Sequence, residues 1–199
     1  MGRKKGYDRE SLIAKAMAVF RERGYAGTST QALVDELGVN RNSLYSEFGS
    51  KEALFIEALR RYDNEVLSPR FGPLEQPTAG LSEVRNLLLH YREAADGQAA
   101  GLGCLLCNTA VEFADREPGD DRIVEAYFER LSGAFLAVLN NARRSGELLD
   151  DVDSEAEAGF LTAAVLGLFV MIRAKAPAAI VHGAVDSALS HLDSLRVRS

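Results

Sequence analysis

The chain has no tryptophan, two cysteines, three histidines and five prolines in 199 residues. Two cysteines cannot build the disulfide framework of a small secreted domain, which points to a reducing, cytoplasmic setting. Three histidines with no His-Glu metal pattern give no expectation of a metal, and none of a cofactor. His182 and His191 are too far apart in sequence to bind one ion from adjacent helical turns. No Gly-rich phosphate loop and no nucleophile elbow is present, so the common enzyme signatures are missing. The best membrane candidate, Ala158 to Ile172, is an uncharged run of 15 residues. A spanning helix needs roughly 20, so this run is expected to be a buried helix rather than a membrane anchor. No apolar segment follows the basic cluster Arg3, Lys4 and Lys5, which is therefore not a signal peptide. At 47% hydrophobic residues the chain is too apolar to be disordered.

Positive charge is in the minority overall, with 23 Lys+Arg against 29 Asp+Glu and a net charge of −6. Taken whole, that balance argues against a polyanionic partner. The distribution reverses the argument. Residues 1–62 carry 11 Lys+Arg and 8 Asp+Glu, a net of +3, and the other 137 residues carry 12 and 21, a net of −9. A basic head on an acidic body suits a protein that meets nucleic acid at one end only.

Apolar residues recur at helical spacing almost throughout, and no segment alternates as a strand does. Asp8 caps a first helix carrying Leu12, Ile13, Ala16, Val19 and Phe20, and Gly24 ends it. Thr28 or Ser29 starts a short second helix that Gly38 stops. Asn40 caps a third, and Ser50 caps a fourth with Leu54, Phe55, Ala58, Leu59 and Tyr62 on its inner face. Pro69, Gly72, Pro73, Pro77 and Gly80 read as a loop. Further helices are expected at about 81–95, 103–115, 120–145, 154–175 and 178–196, with breaks at Gly97 to Gly101, at Pro118-Gly119, around Gly146 to Asp153 and at Pro177. The fold class is all-α, with about nine helices. Residues 1–49 form a three-helix head and residues 50–199 a larger helical body.

Within the head, residues 28–48 match a helix-turn-helix. Gly38 tolerates the positive φ of a tight turn, and Asn40 offers an oxygen to the free amides of the next helix. In such a unit the second helix enters the major groove with its N-terminal residues towards the base edges. Arg41 suits guanine and Asn42 suits adenine. Ser43, Tyr45 and Ser46 are donors for phosphate or groove contacts. Thr28, Ser29 and Asn40 sit at helix starts that present amides to phosphates, and Lys51 adds a charge at a fourth. Glu47 is discordant, since it repels phosphate unless it turns away or pairs with Lys51 or Arg41.

Phe20, Gly24-Tyr25, Thr28-Ser29, Leu37-Gly38-Val39, Ser43-Leu44-Tyr45, Phe48 and Ser50-Lys51-Glu52-Ala53-Leu54-Phe55 together resemble the N-terminal motif of TetR-family transcriptional regulators. The resemblance covers roughly residues 7–60. It implies a homodimer whose last two helices form an intersubunit four-helix bundle, and a body that holds an unidentified small-molecule effector. It also implies repression from a palindromic double-stranded DNA operator, relieved when the effector binds. On the same basis Arg41 to Phe48 is the recognition helix, and Tyr45 and Lys51 contact phosphate. Ser46 and Glu47 depart from commoner members, where His or a neutral residue is frequent.

In the body, Gly159, Ala163 and Gly167 recur every four residues and let another helix approach closely. With Val181, Val185, Leu189 and Leu192 on the final helix they form the expected dimer interface. Cys104 and Cys107 lie where glycines give way to a helix. Two readings stand for them. One is plain core filling; the other is a redox sensor, with Cys104 activated by the helix N-terminus and Cys107 resolving it. The effector cavity is expected among helices four to eight, walled from among Phe55, Leu59, Tyr62, Leu88, Tyr91, Phe113, Tyr127, Phe128 and Phe135. His90 is explained by solvent exposure. The competing functions are a helical interaction module without DNA binding and a Cys-dependent enzyme.

Overall fold

A computed structural model describes residues 7–97, 101–113 and 121–197. The basic cluster Arg3, Lys4 and Lys5, the Pro118-Gly119 break and part of the Gly97–Gly101 break lie outside them. The described residues form nine α-helices of eight residues or more, one four-residue helix and one π-helical turn, with no strand beyond a lone bridge between Leu148 and Arg196.

Four short helices make the head: α1 (Arg9–Arg23), α2 (Thr30–Leu37), α3 (Arg41–Phe48) and α4 (Lys51–Tyr62). Each starts where a side chain takes an orphan amide. Asp8 accepts from Ser11, Ser29 from Ala32, Asn40 from Ser43 and Ser50 from Ala53, at 2.8–3.1 Å. Gly38 ends α2 in the left-handed conformation, with φ 68° and ψ 31°, which a Cβ would disfavour. The buried faces are those expected from the periodicity, down to Leu54, Phe55, Ala58, Leu59 and Tyr62 on α4.

After α4 the chain does not turn into a loop. It continues through a π-turn (Asp63–Leu67) into the short α5 (Ser68–Phe71), because Pro69 occupies the first turn, where its missing N–H is tolerated. The body follows as α6 (Leu81–Asp96), α7 (Leu105–Glu112), α8 (Asp121–Arg144), α9 (Ser154–Arg173) and α10 (Ala178–Ser194). α8 packs along α9, and α10 along α6. Arg92 with Asp186 and His182 with Asp96 pin α10 to α6 at 2.9 Å, and His191 pairs with Glu157 of α9 at 2.7 Å.

α9 is long and apolar enough to cross a membrane, but it is built into the body along one side. Ala158, Leu161, Val165, Leu168 and Ile172 are buried in the common core. The uncharged run is thus buried along one side of the helix. Gly159, Phe160, Ala163 and Val170 line an exposed opposite side that no described element covers.

Candidate nucleic-acid interface and sensor core

α3 turns Leu44 and Phe48 inwards and leaves Arg41, Asn42, Tyr45 and Ser46 exposed, with Ser43 half-buried. An open depression beside this face is lined by Tyr7, Asn40, Arg41, Asn42, Ser43 and Ser46 and contains no carboxylate. The Arg41 guanidinium lies 5.6 Å from the centre of the Tyr45 ring. The Tyr45 hydroxyl lies 3.5 Å from the Thr30 hydroxyl. Hydrogen bonding from Thr30, and then from Arg41, holds the Tyr45 hydroxyl below the usual tyrosine pKa. The one sequence signal for Thr30 is its place in the first turn of α2, directly after the Ser29 cap.

Two expected contacts are committed elsewhere. Thr28 is fully buried, its hydroxyl donating to the Gly24 carbonyl at 2.6 Å and its amide to the Tyr25 carbonyl at 3.2 Å. It shapes the turn between α1 and α2 and has no surface to offer DNA. Ser29 caps the helix in its place and stays exposed. The Lys51 ammonium donates to the Tyr25 carbonyl at 2.6 Å and sits 3.9 Å above the centre of the Tyr25 ring. Burial lowers its pKa from the ordinary lysine value, against the opposing pull of Glu112. Lys51 thus braces that turn from the start of α4.

Glu47 resolves its own discord by turning inwards. Its partners are the Arg9 guanidinium at 3.5 Å and the Tyr7 hydroxyl at 3.3 Å, rather than Lys51 or Arg41.

The turn before α2 is held from the body as well. Glu112, the last residue of α7, accepts from the backbone amides of Tyr25, at 2.9 Å, and Ala26. The Tyr25 ring packs on Phe55 at 4.9 Å and Phe113 at 5.1 Å between ring centres. A second tie runs from Arg173 at the end of α9, which donates to the Arg21 and Gly101 carbonyls at 3.0 Å.

The expected dimer stripe divides. Val181, Val185 and Leu192 are buried inside the subunit's own core, at 1%, 0% and 0% exposure, so none has surface left for a partner. Leu189 is half-buried. On the outer side, Gly159 and Ala163 are exposed and Gly167 half-buried, beside Phe160, Val170 and Ile180 at 45%, 51% and 56% exposure. The exposed seam therefore combines the small residues of α9 with Ile180 and Gly183 of α10.

Both cysteines are free thiols in the core. Cys104 caps α7, and its sulfur donates to the Tyr127 hydroxyl at 3.6 Å. Burial pushes its pKa up despite the opposing backbone N–H groups of Cys107 and Leu106 and the tyrosine hydroxyls. Burial, with Cys104 adjacent, pushes Cys107 to about 11. A lowered pKa at the helix end, the premise of an activated Cys104, is thus overturned: desolvation of the thiolate outweighs the helix terminus.

Of the expected cavity walls, Tyr62 and Tyr91 line an internal cavity whose other walls come from α1, the π-turn, α5, α6 and α9. Tyr127 lines a separate, larger cleft of about 430 Å³ with Leu106 and Ile123. Phe55, Leu59, Leu88 and Phe135 are solid core, and Phe113 and Phe128 pack against it partly buried. His90 is not an exposed bystander: it is half-buried, lines the first cavity and accepts from the Arg70 Nε at 2.8 Å. Burial and then the Arg70 charge lower its pKa.

Comparison with known proteins agrees with this layout. The model of bacterial regulatory proteins of the tetR family matches residues 12–58, and that of the tetracyclin repressor-like C-terminal domain matches residues 80–187. The uncharacterized HTH-type transcriptional regulator YezE of Bacillus subtilis (strain 168) is 32% identical over 97% of this chain and 100% of its own. The HTH-type transcriptional repressor DhaR of Mycobacterium sp. (strain GP1) is 27% identical over 83% of this chain and 82% of its own. Among solved structures, a cysteine mutant of the TetR-family transcriptional regulator CifR complexed with 26 bp double-strand operator DNA superposes with a TM-score of 0.82. It is 28% identical and covers 95% of this chain and 98% of its own. A TetR transcriptional regulator from Chloroflexus aurantiacus J-10-FL gives a TM-score of 0.80 at 26% identity, over 96% of each chain. With two family models and a full-length relative in agreement, the chain belongs to the TetR family of bacterial transcriptional regulators.

Proposed function

We propose that this protein is a homodimeric repressor that reads a palindromic operator with α3 and leaves it when an effector enters the body. The observation that carries the reading is the outer face of α3. Arg41, Asn42, Tyr45 and Ser46 are exposed together, and the nearest discordant carboxylate, Glu47, is drawn inwards by Arg9 and Tyr7. Arg41 and Asn42 carry base readout. Ser29, Asn40, Ser43, Tyr45 and Ser46 position the backbone. Lys51 acts through the turn it braces. The DNA-complexed CifR mutant, 28% identical, supports the same use of this head.

Two heads are needed because one is only modestly basic. The exposed seam of Gly159, Phe160, Ala163, Gly167 and Ile180 is the surface we assign to the dimer, since an isologous pairing would bury it on both copies at once. The protein works in the cytoplasm, where operator DNA lies, and no catalytic step is part of its function. Fluorescence anisotropy on a labelled duplex tests the reading. Log affinity should fall linearly with log salt, and Arg41→Ala should reduce discrimination among sequences. Salt-insensitive binding, or equal affinity of the variant and the wild type for every sequence, would contradict it.

A second reading of the effector, a thiol-reactive compound acting at Cys104, rests on the position of Cys104 at the start of α7, whose far end holds the head, and requires the core to open, since the thiol is fully buried. A Cys104→Ser protein that still leaves its operator normally under electrophile or peroxide would remove that reading.

A further inference from the structure

We propose that the cavity between α1, α4, α6 and α9 is a binding site for a small organic acid, its carboxylate received by Arg21, Arg70 and the Tyr91 hydroxyl; its role as the effector rests on the repressor reading above. Several arginines of this acidic chain are matched by carboxylates, while the exposed or end-of-helix Arg41, Arg143, Arg144 and Arg173 have none among the described residues. Arg61, Arg85, Arg92, Arg130 and Arg196 each have a carboxylate within 4.0 Å. Among the described residues, neither Arg21 nor Arg70 has one, and no acid lines the cavity they share.

Their donors are incompletely used. Arg70 donates to His90 and to the Val66 carbonyl. Arg21 reaches the Gly103 carbonyl at a long 3.4 Å, and its Nε is buried without a partner among the described residues. The Tyr91 hydroxyl is also buried without a partner, on a side chain 4% exposed. Unsatisfied buried donors are rare and require an explanation. Two of them beside two guanidinium groups that lack a carboxylate, one of them (Arg21) resting 5.5 Å from the centre of the Tyr62 ring, describe a receptor for an anion with paired acceptor oxygens.

The remaining walls choose the kind of anion. Val66, Leu67, Phe169 and Ile172 are apolar, which suits an organic body and not a fully hydrated inorganic ion. The free room is about 30 Å³, close to the share of one water molecule in the liquid. A carboxylate group fits that space, and a tail enters only as these apolar side chains part.

The test is calorimetric titration of the full chain, without DNA, using propionate and benzoate, each against its neutral amide, at constant ionic strength. Both acids should bind, and both amides should bind at least tenfold more weakly. Arg70→Met should weaken the acids at least tenfold. Tyr91→Phe removes a hydroxyl that no protein group uses, so it should weaken them severalfold and leave the melting temperature unchanged. Absence of acid binding, equal binding of acid and amide, tighter binding of inorganic phosphate than of either acid, or unaltered affinity in both variants would each overturn the site. An acid that binds here but leaves the protein on DNA keeps the site and removes only the effector role.

Discussion

The Glu112 carboxylate accepts the Tyr25 backbone amide at 2.9 Å, joining the end of α7 to the turn that launches α2 across 87 positions of sequence. The same helix begins at Cys104, whose thiol donates to the Tyr127 hydroxyl at 3.6 Å. One short helix therefore spans from the core around Cys104 to the turn that precedes α2. Such a rigid element, biased at one end, is a physical route for coupling two sites.

Glu112→Ala should uncouple them. Losing hydrogen bonds to a charged acceptor at a half-exposed site should destabilise the fold by about 1–2 kcal/mol, read by denaturant unfolding. The effector-induced loss of DNA affinity should shrink by roughly fivefold or more. Full retention of that loss would show that the clamp is structural only.

Gly24 tests the same seam from the other side. Its φ is +74°, and an added Cβ would meet the Glu112 Oε2 at 2.9 Å. Gly24→Ala should therefore lower stability by about 1 kcal/mol or more and displace the carboxylate. A thermal melt that matches wild type would refute this account of the turn.

Arg41 and Lys51 should fail differently. Arg41→Ala should lose about 1–3 kcal/mol of discrimination at one base position with little change in melting temperature. Lys51→Ala releases the Tyr25 carbonyl, so it should weaken binding to all sequences and lower the melting temperature as well. Competition anisotropy on a panel of single-base variants separates the two.

The exposed seam gives an oligomer test. Phe160→Glu and Ile180→Glu should yield folded monomers by light scattering at micromolar concentration, whereas Val185→Glu should unfold the chain because Val185 is fully buried in its own subunit. Dimers that survive both surface changes would place the interface elsewhere.

The thiols make a pH prediction. Held at about 11 rather than near 9, Cys107 is about a hundredfold less ionised at neutral pH than an ordinary thiol. Native protein should react slowly with a disulfide reagent at pH 7.5, and faster as pH rises. Linkage gives the companion effect. Below pH 9 the folded and unfolded chains both keep the proton; between 9 and 11 the unfolded chain loses it first, so this contribution to stability falls as pH rises. Cys107→Ala should flatten that part of the unfolding profile.

What the sequence shows and hides follows from distance along the chain. Asp8, Ser29, Asn40 and Ser50 act on amides three residues away, so capping chemistry alone locates the head helices. The inner face of α4 is legible for the same reason, since periodicity is local. Thr28 misleads because its polar groups are consumed by the Gly24–Tyr25 turn, which tertiary packing places, and the same packing sets the Lys51 ammonium on the Tyr25 carbonyl. Val181, Val185 and Leu192 misled because a helical apolar stripe does not say whether its own subunit or a partner covers it. The Glu112 clamp and the Arg70–His90 pair carry no local signal at all.

Selection of bound DNA from a random pool by the wild-type protein tests the central claim most directly. The account predicts enriched sequences that are inverted repeats with half-sites about one helical turn apart, or a multiple of it, and a changed base preference when Arg41→Ala is used instead. Enrichment of no sequence, or of a single asymmetric half-site by both proteins alike, would contradict it.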